Sequence, residues 1–315
     1  MPQSVSQPVR IACHGRNGHQ IHRALKAGHP NAILTAISGF DDPEIPATVL
    51  RYDSLAALLA AGVADLVSVC SDRRSTQIDD VIACLTAGCH VYAEKPATLS
   101  MADLDHVLRC AQQHQRIFCE MNGSCDDVPF PDLRRLIMTE AIGDIFQITV
   151  QKSYPWHQQR PTDSGIDGGV ALQVGVHVLR IAEYLLGPIT QLTSLSTNRG
   201  DPGNSGTEMA ASFNWQHASG VIGSGVANYG GAKEIGVWGN DAVRLFGAKG
   251  CIAWSAAEGC IRTWRRDACP EMLIPTQRDR PQLERVISAC QGHLGDLPNV
   301  AIELHPTRLL LGVCL

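Results

Sequence analysis

The chain has 315 residues, 44% of them hydrophobic and 18% charged, with a formal net charge of −5. This is an ordinary folded composition, long enough for two domains, and its acidic balance without a basic block excludes a mainly electrostatic nucleic-acid binder. No apolar run approaches the roughly 18–20 residues of a bilayer span, and Met1-Pro2-Gln3-Ser4-Val5-Ser6-Gln7-Pro8 reads as a short tail without the basic start and apolar core of a secretory leader.

The first 120 residues alternate between strand-like and helix-like segments. Val9-Arg10-Ile11-Ala12-Cys13 predicts a strand, Gly15 to Gly18 a loop, and His19 to Ala27 a helix closed by Gly28 and Pro30. Ala32 to Ile37 follows as a strand, and Ser54 to Ala60 as a helix capped by Ser54. Leu66 to Cys70 has almost no polar residue and predicts a strand buried on both faces. A helix over Thr76–Ala87 ends at Gly88, and His90 to Ala93 is the next strand. Ser100 to His114 predicts a helix with Ser100 as its cap and Asp103 completing an imperfect capping box. Arg116 to Cys119 begins another strand. Strands alternating with helices imply a parallel, doubly wound sheet over residues 1–123.

Beyond residue 123 the pattern changes, and residues 124–315 predict an α+β domain with a large, mostly antiparallel open sheet. A helix at Asp132 to Glu140 precedes an alternating segment, Ile145 to Val150, and a second helix spans Ala171 to Leu186 before Gly187-Pro188. Period-two segments then dominate: Leu192 to Ser196, Glu208 to Trp215, Gly220 to Ala227, Glu234 to Trp238, Ala242 to Phe246 and Cys251 to Trp254. Helices are expected near Leu283 to Cys290 and Thr307 to Leu311. The twelve cysteines form no Cys-x-x-Cys pair, and most lie in apolar runs such as those of Cys13, Cys70, Cys84, Cys110 and Cys119. They read as reduced thiols of a cytoplasmic protein. Cys84, Cys89 and His90 have no further ligand nearby, so no metal is expected.

Two stretches carry candidate chemistry. Cys13-His14-Gly15-Arg16-Asn17-Gly18 sits between the first strand and first helix, where a dinucleotide fold has G-x-G-x-x-G. Gly15 would admit a pyrophosphate and Gly18 close packing of helix on strand, although Cys13 replaces the first glycine. Ser38 occupies the end of the second strand, where a ribose-binding acid is expected, and Asp41 and Asp42 follow. Those charges disfavour a 2′-phosphate and favour NAD, while Arg16 keeps NADP open. The second stretch is Ala93-Glu94-Lys95-Pro96. Proline tends to end a strand, so Lys95 would emerge at the carboxyl edge of the sheet, where open α/β folds place their ligands. Burial there would lower the lysine's pKa and permit proton transfer near neutral pH. Alone, it would read as a strand-end surface lysine.

In order along the chain, these pieces resemble the glucose–fructose oxidoreductase and inositol dehydrogenase family, also called Gfo/Idh/MocA. They are Gly15 to Gly18; Ala87-Gly88-Cys89-His90-Val91-Tyr92-Ala93-Glu94-Lys95-Pro96; Ile142-Gly143-Asp144-Ile145; Gly168-Gly169-Val170-Ala171-Leu172-Gln173-Val174-Gly175-Val176-His177; and Val237-Trp238-Gly239-Asn240 to Phe246-Gly247-Ala248-Lys249-Gly250. The resemblance implies an amino-terminal Rossmann domain and a carboxyl-terminal substrate and oligomerisation domain. It implies hydride transfer between a nicotinamide cofactor and a hydroxyl-bearing carbon of a small polyhydroxy compound, in a homodimer or homotetramer. It assigns Lys95 to the reacting hydroxyl and His177 to its proton. On the cofactor side it places Gly15, Arg16, Asn17, Gly18, Ser38, Asp41, Ser71, Glu94, Lys95 and Pro96. Lys95, Tyr154, Trp156, Gln173 and His177 make up the substrate side, with Tyr154, Trp156 and His157 in a polar, proline-containing loop.

The departures from the family pattern matter. Gln173 stands where an aspartate is usual and can orient by hydrogen bonding but supplies no charge. Arg180 replaces a second acid after His177, Asp72 replaces a proline, and the histidine expected near Thr76 is missing. Two alternatives to net oxidation therefore stay open: transient oxidation by retained NAD during elimination or glycoside cleavage, and a non-catalytic NAD(P)-binding regulator.

Overall fold

The computed structural model describes residues 7–26 and 28–314. Most of the predicted tail and Ala27, the last residue of the first predicted helix, lie outside the described residues. The chain forms two compact units. The first runs to Met121 and takes in Gly165–Asp167 and Gln282–Glu303; the second holds Asn122–Ser164, Gly168–Pro281 and the segment from Leu304.

The first unit is built on six strands: β1 (Val9–His14), β2 (Ala32–Ser38), β3 (Leu50–Tyr52), β4 (Leu66–Val69), β5 (His90–Ala93) and β6 (Phe118–Glu120). Every pairing is parallel, in the order β3-β2-β1-β4-β5-β6, the doubly wound order with a switch point between β1 and β4. β4 is buried at all four positions, as its nearly continuous apolar run requires, with Ser68 its one polar residue. The helices are α1 (His22–Lys26), α2 (Leu55–Ala60), α3 (Gln77–Thr86) and α4 (Met101–Gln113). Ser54 and Ser100 cap α2 and α4, accepting from the amides of Ala57 and Asp103.

Helix α1 is shorter than predicted at its start, because His19 donates both its amide and its ring to Glu94 rather than entering the helix. β3 was not predicted; it is a three-residue edge strand with no buried position. Far along the chain, α8 (Gln282–Cys290) returns to this unit and buries Val286 and Ile287 in the core formed by Ile11, Leu34, Ile37, Leu66 and Tyr92. Polar bonds align it: the Tyr92 hydroxyl donates to Gln282 at 2.9 Å and His29 meets Glu284 at 2.7 Å. A short helix, α9 (Val300–Glu303), ends the segment, with Glu303 accepting from Gln282 at 2.9 Å.

The second unit contains an eight-stranded sheet of β7 (Ile145–Pro155), β8 (Ile189–Thr197), β9 (Ala210–His217), β10 (Ile222–Gly231), β11 (Ala242–Gly247), β12 (Gly250–Ser255), β13 (Cys260–Arg265) and β14 (Glu271–Leu273). Its order is β14-β13-β12-β11-β7-β10-β9-β8, antiparallel except where β10 pairs with β7. β13 and β14 extend it beyond the predicted strands. Glu234 to Trp238 is not a strand: Lys233–Ile235 is a single 3-10 turn and Gly236 has φ +79°. β7 runs on to Pro155, which places Tyr154 buried in a strand rather than in the predicted loop.

The helices of this unit are α5 (Phe130–Met138), α6 (Gly169–Gln173), α7 (Gly175–Leu186) and α10 (His305–Val313). The predicted helix over Ala171–Leu186 is thus two helices, parted at Val174. Over 18 residues, Gly169–Leu186 is apolar enough to pass as a membrane span by length and composition, contrary to the sequence reading, but 78% of that stretch is buried in the fold. It is a core helix pair. α7 lies against the sheet where glycines remove side chains: a Cβ on Gly175 would sit 2.6 Å from the Phe213 ring, and one on Gly225 2.5 Å from Val178.

Candidate functional site

In the first unit the glycine loop is anchored at the switch point. Gly15 has φ +68°, and a Cβ there would lie 2.2 Å from the Cys70 carbonyl oxygen, so only glycine fits. The Gly15 amide donates to Ser38 O at 3.0 Å and the Asn17 amide to Cys70 O at 3.1 Å, joining the loop to the ends of β2 and β4. Gly18 packs on Glu94, leaving no room for a Cβ, which would fall 2.5 Å from Glu94 Cγ. Gln20 braces the turn by donating to the carbonyls of His14 and Gly15 and accepting from Ser68 Oγ at 2.6 Å. The Asn17 side chain donates to Asp72 O and Ile166 O, so it serves the loop itself.

Lys95 is fully buried at the carboxyl end of β5, with its ammonium 4.0 Å from Glu94. Burial pushes the Glu94 carboxyl up, but the bonds from His19 and the charges of Lys95 and Arg74 outweigh it and hold the group below the usual carboxylate range. The Lys95–Pro96 peptide is cis. Gln77 fixes the backbone around it, donating to Glu94 O at 2.8 Å and Ala97 O at 3.1 Å, while the Ala97 amide donates to Glu120 at 2.8 Å. Arg74 completes the frame. It is buried and donates to the carbonyls of Ser71, Asn17 and Lys95 and to Gln77 Oε1. Sequence reasoning missed Arg74 and Gln77, although the altered loop that begins at Asp72 was the signal available.

At the end of β2, Ser38 is buried and lies 2.9 Å from His14 Nδ1. His14 Nε2 faces Asp80 at 3.5 Å, and Ser71 donates to the same carboxylate at 2.5 Å. Burial raises the Asp80 carboxyl, yet the His14 and Ser71 hydrogen bonds leave it lowered overall. A cavity of about 220 Å³ opens here, lined by His14, Gly15, Gly39, Ser71, Thr76 and Asp80 among others. Arg16 reaches over to Asp41 O at 3.3 Å and stands 3.8 Å from Asp42. The two predicted carboxylates differ: Asp41 is exposed and pairs with Arg51 at 3.2 Å, whereas Asp42 is buried against His22 at 3.2 Å and Arg23 at 3.5 Å.

The second unit brings a separate set together. Gln173 accepts from the Tyr229 hydroxyl at 2.8 Å, and the Tyr229 ring supports the Arg160 guanidinium at 4.1 Å. The Tyr154 and Trp238 rings meet at 5.5 Å, tilted by 39°, beside the same guanidinium. Lys152 pairs with Asp241 at 2.8 Å, next to Tyr154. Trp156 follows the end of β7, half-buried. His177 and Arg180 are buried on α7, and the Arg180 charge acts on Glu183 three residues along. Arg160, Tyr229 and Trp238 were not among the predicted site residues.

These features fit a dinucleotide in the first unit: a strand–glycine turn at a switch point, two glycines where a Cβ has no room, and an open cavity at the ends of β1, β2 and β4. Residues 11–122 match the oxidoreductase family with an NAD-binding Rossmann fold, and residues 130–253 match the GFO/IDH/MocA C-terminal domain. The chain belongs to the Gfo/Idh/MocA family. Within it, dTDP-3,4-didehydro-2,6-dideoxy-alpha-D-glucose 3-reductase of Streptomyces violaceoruber is 33% identical over 108 residues, 33% of this chain and 31% of that protein. Myo-inositol 2-dehydrogenase of Thermotoga maritima is 30% identical over 126 residues, 39% of this chain and 36% of that protein. The chain thus spans about a third of the length of these curated relatives. The structure of an inositol dehydrogenase homolog from Azotobacter vinelandii, complexed with NADH and myo-inositol, superposes with a TM-score of 0.77 at 19% identity, covering 98% of this chain and 95% of that one. At that identity the likeness is one of fold.

Proposed function

We propose that this Gfo/Idh/MocA member is an NAD(P)-dependent oxidoreductase that transfers a hydride between the nicotinamide and a hydroxyl-bearing carbon of a small sugar, cyclitol or related hydroxy compound. The observation that carries the reading is the buried Lys95–Glu94 pair at the carboxyl edge of a parallel sheet, framed by Arg74 and Gln77. The glycine loop, Ser38, Ser71 and Glu94 would hold the dinucleotide, which supplies the hydride acceptor or donor when bound. An ionised Glu94 favours the charged form of Lys95. The ammonium therefore acts as a hydrogen-bond donor to the substrate oxygen and stabilises it as negative charge develops. The family resemblance gives proton removal to His177, a residue type able to act as a general base. Gln173, held by Tyr229, orients its surroundings without adding charge.

The outward face of the large sheet exposes Leu195, Ile222 and Val226, apolar area that supports the homodimer or homotetramer implied by the family. Light scattering on the purified protein reads that state directly.

The test of function is Lys95→Ala, with Lys95→Met as the variant that keeps volume. Turnover on a panel of inositols and hexoses, followed by nicotinamide absorbance, is expected to fall at least about 100-fold, with dinucleotide affinity within a few fold of the parent. Parental activity in both variants would overturn the assignment.

A further inference from the structure

We propose that Trp238 is a stacking platform in the second unit, and that it selects a polyhydroxy compound closed into a ring over its open-chain counterpart. The inference rests on the functional reading above, in which the substrate is a small polyhydroxy compound, and narrows that class.

Trp238 lies in the connection between β10 and β11 and is 60% exposed. Covering both faces of a planar ring would leave far less of it open, so one broad face of the indole meets solvent. Its other surroundings are fixed. The buried Tyr154 ring lies 5.5 Å away, the His157 ring 6.5 Å away at 26°, and the Arg160 guanidinium at 5.9 Å. The backbone that carries the indole is tied to the end of β7. The Ser153 amide donates to Gly239 O at 2.8 Å, Gln151 Nε2 to Asn240 O at 3.1 Å, and Lys152 Nζ to Asp241 at 2.8 Å. Gly239 rests on that ion pair, since a Cβ there would come within 3.0 Å of Lys152 Nζ. An indole presented on pinned backbone has little freedom left to lose when a ligand covers it, so burial of its open face goes into affinity.

The chemistry of this corner identifies the occupant. A pyranose or cyclitol in its chair form carries C–H bonds on its broad face and hydroxyls at its rim. Polarised C–H hydrogens suit the negative face of an indole. Hydroxyls need donors and acceptors beside it, and the Arg160 guanidinium and the partly exposed Asp241 carboxylate are of those kinds. The Tyr229–Gln173 pair lies against the same guanidinium. An open-chain polyol has no preformed C–H face. It must freeze several C–C rotations to lie flat on the indole, which costs affinity.

Calorimetry with a panel of inositols, hexoses and the corresponding hexitols, on protein saturated with NADH, tests this in the parent, Trp238→Leu and Trp238→Phe. At least one ring compound should bind the parent at least about tenfold more tightly than its hexitol. Trp238→Leu, which keeps an apolar side chain without a ring face, should lose that margin, and Trp238→Phe should keep part of it. The ring compound should also change the Trp238 emission, read without dinucleotide as the difference between the parent and Trp238→Phe spectra. Equal binding of ring and chain by the parent, a margin that survives in Trp238→Leu, or no binding of any ring compound by folded parent would each overturn the platform. In those cases Lys95-dependent nicotinamide turnover of the panel would leave the oxidoreductase reading standing. Trp238-dependent ring binding without turnover would instead overturn that reading and leave the platform. An emission change with dTMP and none with the ring compounds would assign the indole to a nucleobase and overturn the choice of occupant.

Discussion

In the first unit, candidate residues are held by directional bonds. Arg74, Gln77 and Gln20 tie down carbonyls at the ends of β1, β4 and β5, and Glu94 gathers the His19 amide and ring. In the second, His177 sits on a helix seated by volume: Gly175 under the Phe213 ring and Val178 against Gly225. The first arrangement loses much when one donor is removed, because buried acceptors are left without partners. The second should forgive a change of size that its neighbour can offset.

Arg74→Met tests the first half of that contrast and should have the largest effect on stability. It strips a buried donor from the carbonyls of Ser71, Asn17 and Lys95. At about 1–3 kcal/mol per unsatisfied buried group, the loss should reach at least about 3 kcal/mol in denaturant unfolding. Dinucleotide affinity should weaken at least about tenfold, because the Asn17 carbonyl belongs to the glycine loop. A variant as stable as the parent would mean that the frame around Lys95 does not depend on directional bonds.

The contrast also explains what could be read from the sequence. Apolar runs such as Leu66 to Cys70 and the Ser54 and Ser100 caps report on local structure, so the parallel sheet and its helices were legible. Three-residue β3 and β14, with no buried position, carry too little hydrophobic pattern to stand out. Glu234 to Trp238 alternates like a strand, yet Gly236 at φ +79° turns the chain there. Lys95, Gly15 and Gly18 stood out because their spacing relative to a strand end carries meaning. His14, Arg74, Gln77 and Asp80 did not, since each reads as an ordinary polar residue until three strand ends converge on it. Topology buries Arg74 and Gln77 and half-buries His14 and Asp80, and it leaves no periodic mark.

Gly175→Ala probes the second half of the comparison. Its Cβ would meet Phe213 Cζ at 2.6 Å, so either the ring or α7 must shift. Overpacking of this kind costs about 1–3 kcal/mol. Because the obstruction is the end of a side chain, Gly175→Ala combined with Phe213→Leu should recover most of the loss, a coupling that a double-mutant cycle measures directly. Additive losses would place the strain in the backbone and erase the distinction between the two units.

The smallest effect is a pH dependence confined to the second unit. All five tryptophans, at positions 156, 215, 238, 254 and 264, lie in that unit, so their fluorescence follows it alone. His217 accepts from the Trp215 indole at 2.9 Å and donates to Gly187 O at 2.8 Å, an arrangement that requires the neutral ring. Burial lowers its pKa from 6.5, opposed only in part by the Gly187 bond. The folded state thus binds this proton more weakly than the unfolded chain. The stabilisation is complete above pH 6.5 and is lost as pH falls through the lowered value. His217→Gln should flatten that slope in tryptophan-detected unfolding. Glu94 responds elsewhere: its carboxyl is lowered from 4.5, so its contribution persists until the pH falls below that value. If His217→Gln retained the parental slope, the loss between pH 6.5 and 4.5 would belong to other groups, and the Trp215–His217–Gly187 chain would be a packing contact without a proton to lose.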